Sequence, residues 1–300
     1  MATRRFIDGG LDGDWTNTAN WSGGVVPISG DDVYIDSTSR DIATNLGQSA
    51  VALTSLNISK NFVGTLGTFD TPLQIGAVTV SLGYINGQVA SPAGSGRIHL
   101  DLGSTTAATV RVFGSASSAA DDGGTTATSD GVNPIRIKAA NAATDIFVSG
   151  GFVSLADVAG ETSTYGEVSL SSVDGASGIV MGQQGASAVT LTTLDVEGGN
   201  LLTVSGATTA NVRGGILRTL GDAVFPTVNV EGGSFRSNAK GLITTLNANG
   251  GTTNFDGSDQ PRNVTTLNIK KPGRVRLNPG VVTVAATNFT DVVPVDIAVT

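Results

Sequence analysis

Apolar and polar residues alternate in short runs along most of this chain. The clearest runs span residues 77–82, 97–102, 109–113, 135–138, 146–148, 152–155 and 167–170. Alternation with a period of two is typical of a strand that buries one face. Apolar residues spaced three or four apart, which would indicate a helix, form no long stretch. The pattern therefore predicts an all-β protein made of many short strands.

One five-residue pattern, which reads Thr-Thr-Leu-Asp-Val in its first C-terminal copy, recurs down the C-terminal half of the chain. Its copies begin at residues 192, 208, 226, 244 and 265, and a further copy begins at residue 54. The third and fifth positions are apolar (Leu194 and Val196 in the first copy), and four of the five C-terminal copies lead into a Gly-Gly pair. A repeat of about 20 residues is typical of stacked coils, each buried only against its neighbours. We therefore predict a single-stranded, right-handed parallel β-helix, which is a solenoid.

The fourth position of the pattern is polar and is expected to point away from the core. If successive coils stack in register, these side chains form an outer row with a spacing of about 4.8 Å, and they can hydrogen-bond along the stack. The predicted row consists of Asn57, Asp195, Asn211, Asn229, Asn247 and Asn268. We interpret this row as structural rather than as a ligand site.

The chain divides by composition into an entry segment, residues 1–38, and a solenoid, residues 39–300. The entry segment holds both tryptophans, Trp15 and Trp21, whose large apolar area suits a cap over the open end of the first coil. A sugar-binding role for the two tryptophans is the alternative. Residues 114–133 lose the alternation and predict a long loop, which is either a surface excursion or a contact arm for a neighbouring subunit.

The entry segment also carries a resemblance to known proteins. Trp15, then Trp21 in an Asn-Trp-Ser context, then Pro27 and Asp32 at the start of a strand-like run, resemble the opening of secreted or virion-associated parallel β-helix proteins, including autotransporter-like passengers. The same opening is similar to that of tailed-phage structural proteins of the capsid-decoration or fibre type. The resemblance covers about 35 residues closely. It implies capping or structural roles for Trp15, Trp21, Pro27 and Asp32.

Charge and cysteine content narrow the possible partners. The formal net charge is −8 and the pI is about 4.5, which argues against nucleic-acid binding, because that needs clustered Lys and Arg. There is no cysteine for a disulfide or a thiolate metal site, and no stretch of 18 apolar residues predicts a membrane span. The candidate contacts with a protein partner are Arg4, Arg5, Asp121 and Asp122.

Candidate catalytic chemistry is sparse. Strand alternation puts His99 and Asp101 on one face, where a solvated strand surface is the favoured interpretation over a functional dyad. The basic residues look scattered, whereas a groove that binds an acidic polysaccharide would need them clustered. Asp8, Asp12 and Asp14 form a weak candidate for a calcium site, with a polar turn as the alternative. We predict no cofactor.

These observations favour a non-enzymatic virion protein of a phage, which decorates or stabilises the capsid or forms part of a head or tail fibre. Its expected partners are a capsid or tail protein and further copies of itself, with a trimer as one option. No apolar export signal follows Arg4 and Arg5, because Asp8 comes at once, so we expect assembly in the host cytoplasm. Two alternatives stay open: a tail-spike-like β-helix that binds or degrades polysaccharide, and a secreted autotransporter-like adhesin.

Overall fold

The computed structural model describes residues 2–36, 38–68, 70–85, 97–115, 133–156, 160–173, 177–182, 188–255, 261–278, 281–290 and 297–299. In these residues the protein is all-β, and its strands wind into parallel stacked coils that form a β-solenoid of about 10 turns. The two helical segments in the described part are single 3-10 turns, Thr18–Asn20 and Ser22–Gly24. The prediction of an all-β parallel solenoid is confirmed.

Most of the strands are only three to nine residues long, as expected for the sides of narrow coils. They are β1 (Thr3–Arg5), β2 (Asp32–Ile35), β3 (Gly47–Ile58), β4 (Leu73–Ile85), β5 (Ile98–Asp101), β6 (Thr109–Ser115), β7 (Ile135–Lys138), β8 (Asp145–Val148), β9 (Phe152–Leu155), β10 (Thr162–Leu170), β11 (Gly178–Met181), β12 (Ala188–Val196), β13 (Asn200–Thr203), β14 (Thr209–Val212), β15 (Ile216–Thr219), β16 (Phe225–Val230), β17 (Ser234–Ser237), β18 (Ile243–Ala248), β19 (Thr252–Asn254), β20 (Arg262–Lys270), β21 (Arg274–Leu277), β22 (Val282–Thr290) and β23 (Ile297–Val299).

The residues group into two compact units. The first holds Met1–Ala156 and Ser163–Tyr165, and the second holds Asp157–Thr162 and Gly166–Thr300. The entry segment is therefore part of a larger unit together with the coils that follow it. Within this first unit, β1 pairs in parallel with β2, β2 with β3, and β3 with β4. The ladder then continues through β6 to β8, while β5, β7 and β9 form a second ladder.

The second unit carries two regular parallel ladders. One joins β12, β14, β16, β18, β20 and β22, and it contains the repeated pattern. The other joins β11, β13, β15, β17, β19, β21 and β23. Because the partners align residue for residue, equivalent positions of successive repeats lie side by side on one face of each ladder.

The inner positions of the repeat build the core of the second unit. Leu194 and Val196, at the third and fifth positions of the first copy, are both fully buried. Phe235 contacts Phe225 of its own coil and Phe255 of the next coil edge to face, with ring centroids 6.4 Å apart in each pair. Burial of this apolar surface is the main force that holds each coil on the next.

The Gly-Gly pairs lie where the chain turns out of the repeat ladder. Gly233 has a φ of +60°, in the left-handed region that favours glycine. A Cβ atom at this position would lie 2.6 Å from the carbonyl carbon of Gly214 in the preceding coil. The turn therefore requires glycine for two reasons: the sign of φ and the close approach of the neighbouring backbone.

The predicted loop at residues 114–133 starts later than expected. Gly114 and Ser115 belong to β6, where they pair with Tyr84 and Ile85 of β4. At the other end, Asn133 is buried, and its side-chain amide donates a hydrogen bond to Ser154 Oγ at 3.0 Å. The two ends of the predicted loop are thus held in the coil stack by ladder pairing and by a side-chain contact. Residues 116–132 lie outside the described residues.

Candidate functional site

The outer row of amides is the most regular feature on the surface of the second unit. Ladder register aligns Asp195 with Asn211, Asn211 with Asn229, Asn229 with Asn247 and Asn247 with Asn268. Each Nδ2 donates to the Oδ1 of the preceding residue: Asn211 to Asp195 (2.5 Å), Asn229 to Asn211 (2.8 Å), Asn247 to Asn229 (2.8 Å), Asn268 to Asn247 (2.7 Å) and Asn288 to Asn268 (2.8 Å). The predicted hydrogen-bonded row is confirmed for these residues, and it extends one coil further than expected, to Asn288.

Asn57 does not join a row of this kind. It lies at the equivalent position of β3, but its register partners are Tyr34 and Ser81, not asparagines. Its side-chain amide donates instead to Ser55 Oγ in its own strand, at 3.0 Å. The prediction was wrong for Asn57, because the neighbouring strands supply no amide at the facing position.

An ionic cluster stands at the start of the amide row. Arg213 Nη1 lies 3.3 Å from Asp195 Oδ2 and 3.4 Å from Glu197 Oε1, and Arg213 Nε lies 3.4 Å from Glu231 Oε2. The charge of Asp195 is the main cause that raises the pKa of Arg213 above its usual value, and this outweighs the opposing effect of burial. Two carboxylates of the preceding turn and one of the following turn thus share one guanidinium.

The two tryptophans form an aromatic cluster at the N-terminal end of the first unit. Trp15 and Trp21 are 0% and 1% exposed, and Phe6 packs against Trp21 with ring centroids 5.2 Å apart. The Trp15 and Trp21 rings are 4.8 Å apart, and Trp21 Nε1 donates to the backbone oxygen of Trp15 at 2.6 Å. Pro27 is also buried. Since neither tryptophan ring is accessible, the alternative of a sugar-binding platform at these residues is wrong.

Strand β1 and its neighbour hold the predicted contact arginines in ion pairs. Arg4 Nε lies 3.1 Å from Asp31 Oδ2, and the Asp31 side chain is only 4% exposed. Arg5 pairs with Asp36 and lies over the ring of Tyr34, 4.8 Å from its centroid. Arg4 is therefore a structural residue that anchors β1, whereas the half-exposed side chain of Arg5 still reaches solvent.

Asp32 and Asp31 fix the start of the first complete coil. Asp32 Oδ1 accepts a hydrogen bond from Ser55 Oγ at 2.6 Å, which joins β2 to β3. Asp31 accepts from Arg4 and from the backbone amides of Ala2 and Ile28. Burial raises the pKa of Asp31, but these hydrogen bonds outweigh it and hold the pKa below its usual value.

Asp8, Asp12 and Asp14 belong to polar turns and not to a shared site. Asp12 accepts from Asn20 and Asn17 at 2.6 Å each, and these hydrogen bonds lower its pKa. Asp14 accepts from Asn45 and from Thr16, and Asp8 pairs with Arg40. Within the described part of the chain, no three acidic or histidine side chains come together in a group that could hold a metal ion.

His99 is buried, contrary to the favoured interpretation of a solvated strand face. It is 1% exposed on β5, opposite Arg136 of β7. Asp101 lies two residues further along the strand, where its Oδ2 is 3.4 Å from Lys138 Nζ and its Oδ1 accepts from the amide of Gly103. Both groups therefore take part in packing between neighbouring coils.

A row of arginines lies on the other ladder of the second unit, and sequence reasoning missed it. Register aligns Arg218 with Arg236, Arg236 with Asn254, and Asn254 with Arg276. All three arginines are exposed. The expectation of scattered basic residues was wrong here, because the coil brings together residues that are 18 and 40 positions apart.

The repeat itself contained the signal for this row. Counting from the fourth position of each copy, Arg218 follows Asn211 by seven residues, and Arg236 follows Asn229 by seven. Arg276 follows Asn268 by eight. An alignment of the copies on their asparagines would therefore have placed Arg218 and Arg236 in one column, with Arg276 one position away.

A groove of about 630 Å³ crosses three coils of the second unit at the start of the repeat ladder. It is lined by the segments 188–191, 204–208 and 221–224 together with Pro226, and Asp222 is its single ionisable side chain. Small apolar residues and backbone make up the rest of its surface. The groove therefore offers shape and backbone polarity, and little acid–base chemistry.

Two further sequence-based expectations concern the wider chain. Asp121 and Asp122, proposed as partner contacts, lie outside the described residues. Of the residues that the structure describes, none form a helix that is both long and apolar enough to cross a membrane.

No protein-family model matches the chain, and comparisons with curated proteins and with solved structures likewise find no match.

Proposed function

We propose that this chain is a non-enzymatic structural protein of a phage virion, which decorates or stabilises the capsid or forms part of a head or tail fibre. The amide row carries this proposal, because outer side chains on six successive strands of one ladder are committed to joining coil to coil. A continuous hydrogen-bonded network of this kind supports a rigid scaffold. The resemblance of the opening segment to tailed-phage structural proteins supports the virion setting.

The entry segment is the part that we propose attaches the scaffold to a capsid or tail protein. Four large apolar side chains are exposed there: Ile7 (57%), Leu11 (67%), Val25 (41%) and Ile28 (59%). Exposed apolar groups concentrated in one segment are typical of a surface that is covered by a partner. Arg5 of the same segment has a half-exposed side chain that pairs with Asp36.

Leu11 supports this assignment by its backbone as well. Its φ is +56°, in the left-handed region, which costs a non-glycine residue about 1–3 kcal/mol. The side chain at this strained position is large, apolar and 67% exposed, so it contributes little to the core. A role in a contact with another protein gives this arrangement a physical reason.

Particle composition tests the proposal. Particles would be purified by density gradient from a culture that produces them and washed at high salt, and the chain would be quantified against the main shell protein by mass spectrometry. We expect a fixed ratio to the shell protein that survives the wash. A chain that is abundant in the lysate and missing from the particles would rule out the virion role.

Matched variants test the attachment surface. Leu11→Ser with Ile28→Ser should lower incorporation into particles at least several-fold, because the apolar contact is lost. Val78→Ser with Val224→Ser removes two exposed apolar side chains from the coils and should leave incorporation unchanged. Equal incorporation of both variants would contradict attachment through the entry segment.

Light scattering of the purified chain would measure whether it forms the proposed homo-oligomer.

Polysaccharide binding is a second candidate function, and the arginine row is the observation that favours it. An assay for release of reducing sugar from a surface polysaccharide separates binding from degradation. We expect the purified chain to release no reducing sugar. Release of reducing sugar by the parent that is abolished in Asp101→Asn would favour the enzymatic alternative.

A further inference from the structure

We propose that the exposed face of β15, β17 and β21 binds a linear polysaccharide that carries carboxylate groups. The face presents Arg218, Arg236 and Arg276 in one row, with Asn254 between the last two. Arg274 lies on the same strand and the same face as Arg276, two residues before it. The inference stands independently of the virion role, because it rests on this face alone.

The arginines of this face have no counter-charge in the described part of the chain. Among the described residues, no carboxylate lies within 4 Å of the guanidinium groups of Arg218, Arg236, Arg274 or Arg276. Arg236 Nε donates a hydrogen bond of 3.4 Å to Ser234 Oγ in its own strand. Arg213 of the same unit, by contrast, contacts three carboxylates. The guanidinium groups of the row are therefore available to an anionic ligand.

The geometry of the row suits a linear polymer. Adjacent strands lie about 4.8 Å apart, so the row repeats along the stack at this interval. Like charges directly opposite each other on paired strands are destabilising, and an anionic chain laid along the row would remove that repulsion. Each guanidinium can also donate two parallel hydrogen bonds to one carboxylate, which gives the interaction direction as well as charge.

Two other acidic partners fit less well. A second copy of this chain would have to offer an acidic surface that follows the row, and the acidic cluster of the second unit, Asp195, Glu197 and Glu231, already shares Arg213. Nucleic acid is strongly negative, and the net charge of −8 on the chain repels it at long range. A carboxylated glycan has a lower charge density than nucleic acid and a repeat that can follow the coils.

Titration of the whole chain with oligogalacturonate, at low and at moderate salt, tests the proposal. We expect binding that weakens as salt is added, and no binding of a neutral maltooligosaccharide of the same length. Arg218→Ala with Arg236→Ala should weaken binding on the order of tenfold, because two exposed charge pairs are lost. The affinity of Arg218→Lys with Arg236→Lys should lie between that of the parent and that of the alanine variant, since lysine keeps the charge and loses the paired hydrogen bonds.

Lys60→Ala with Lys240→Ala is the control, because it removes the same charge from two exposed positions outside the row. This variant should bind within about twofold of the parent, since exposed charges away from a site are largely screened. Far-UV circular dichroism would establish that each variant is folded. Three results would overturn the proposal: no binding of oligogalacturonate by the parent, equal loss in the row and control variants, or tighter binding of a DNA duplex than of oligogalacturonate.

Discussion

Single side chains in this protein act mainly by joining one coil to the next. Asn229 shows this best, since its amide donates to Asn211 and its carbonyl oxygen accepts from Asn247. Arg213 does the same with charge, linking Asp195, Glu197 and Glu231. Because each such residue has partners in neighbouring coils, its removal leaves unsatisfied groups on both sides.

Substitution of Asn229 tests how much the amide row contributes. Asn229→Ala leaves the Oδ1 of Asn211 and the Nδ2 of Asn247 without partners, and we expect a loss of about 1–3 kcal/mol in the free energy of unfolding. Asn288→Ala removes one hydrogen bond at an exposed position and should cost clearly less. Denaturant unfolding followed by circular dichroism would measure both, and equal losses would show that the row does not act as a network.

The carboxylate of Asp31 should make the stability of the protein sensitive to acid. Hydrogen bonds hold its pKa below the usual value of 3.8, so the folded state favours the charged form. This stabilisation is fully present above the unfolded-state pKa and is lost as the pH falls through the folded-state pKa. We expect Asp31→Asn to be less stable than the parent at pH 7, and the difference to shrink progressively below about pH 4.

Thermal unfolding between pH 7 and pH 2.5 would measure this difference. Asp222→Asn is the control for the change in net charge, because Asp222 is exposed in a turn. A gap between Asp31→Asn and the parent that stays constant down to pH 2.5 would contradict the assignment.

At the scale of elements, alternation and turns determine where each strand lies. The strand at Ile135–Lys138 was predicted with its observed bounds, because its apolar residues face the core at every second position. The strand at Thr109–Ser115 was predicted to end two residues early, because Gly114 and Ser115 have little side chain to carry a pattern and are held by ladder pairing. Because the strands are joined by turns that need glycine, substitutions at these glycines should lower the stability of the fold.

Gly233→Ala tests the close-packed turn. It combines a left-handed backbone with a Cβ position 2.6 Å from a neighbouring carbonyl carbon, so we expect a loss above the roughly 1–3 kcal/mol that the backbone strain alone costs. Gly24→Ala carries a similar φ of +65° with no atom within 4 Å, and it isolates the strain. Thermal unfolding of the two variants would separate the cost of backbone strain from the cost of the close contact. A loss of stability in Gly233→Ala that is no larger than the loss in Gly24→Ala would show that the turn can open.

At the scale of the whole molecule, acidic character coexists with a basic face. The formal net charge is −8, yet Arg218, Arg236 and Arg276 share one row in the second unit. The net charge governs solubility and long-range repulsion between copies, whereas the row governs what binds at short range. The two properties act at different distances and can be separated by experiment.

Light scattering across pH tests the role of net charge. We expect association of the purified chain to be greatest near its pI of about 4.5, where repulsion between copies vanishes, and to fall on either side. Lys60→Gln changes the formal net charge from −8 to −9 and should move the maximum to a slightly lower pH. If association of both proteins were greatest near pH 7, this would indicate association through a specific surface instead.

The sequence alone determined the fold class, the coil repeat and the inner wall, because alternation and repeat spacing follow from local chain geometry. It also determined the amide row from Asp195 to Asn268, since identical positions of an in-register repeat must meet. Only the tertiary structure decided that Asn57 stands outside the row, that Arg4 is anchored by Asp31 and that His99 is buried. The arginine row belongs to this second group as well. These features depend on which residues adjacent coils bring opposite one another, and the periodicity of a single coil does not specify that.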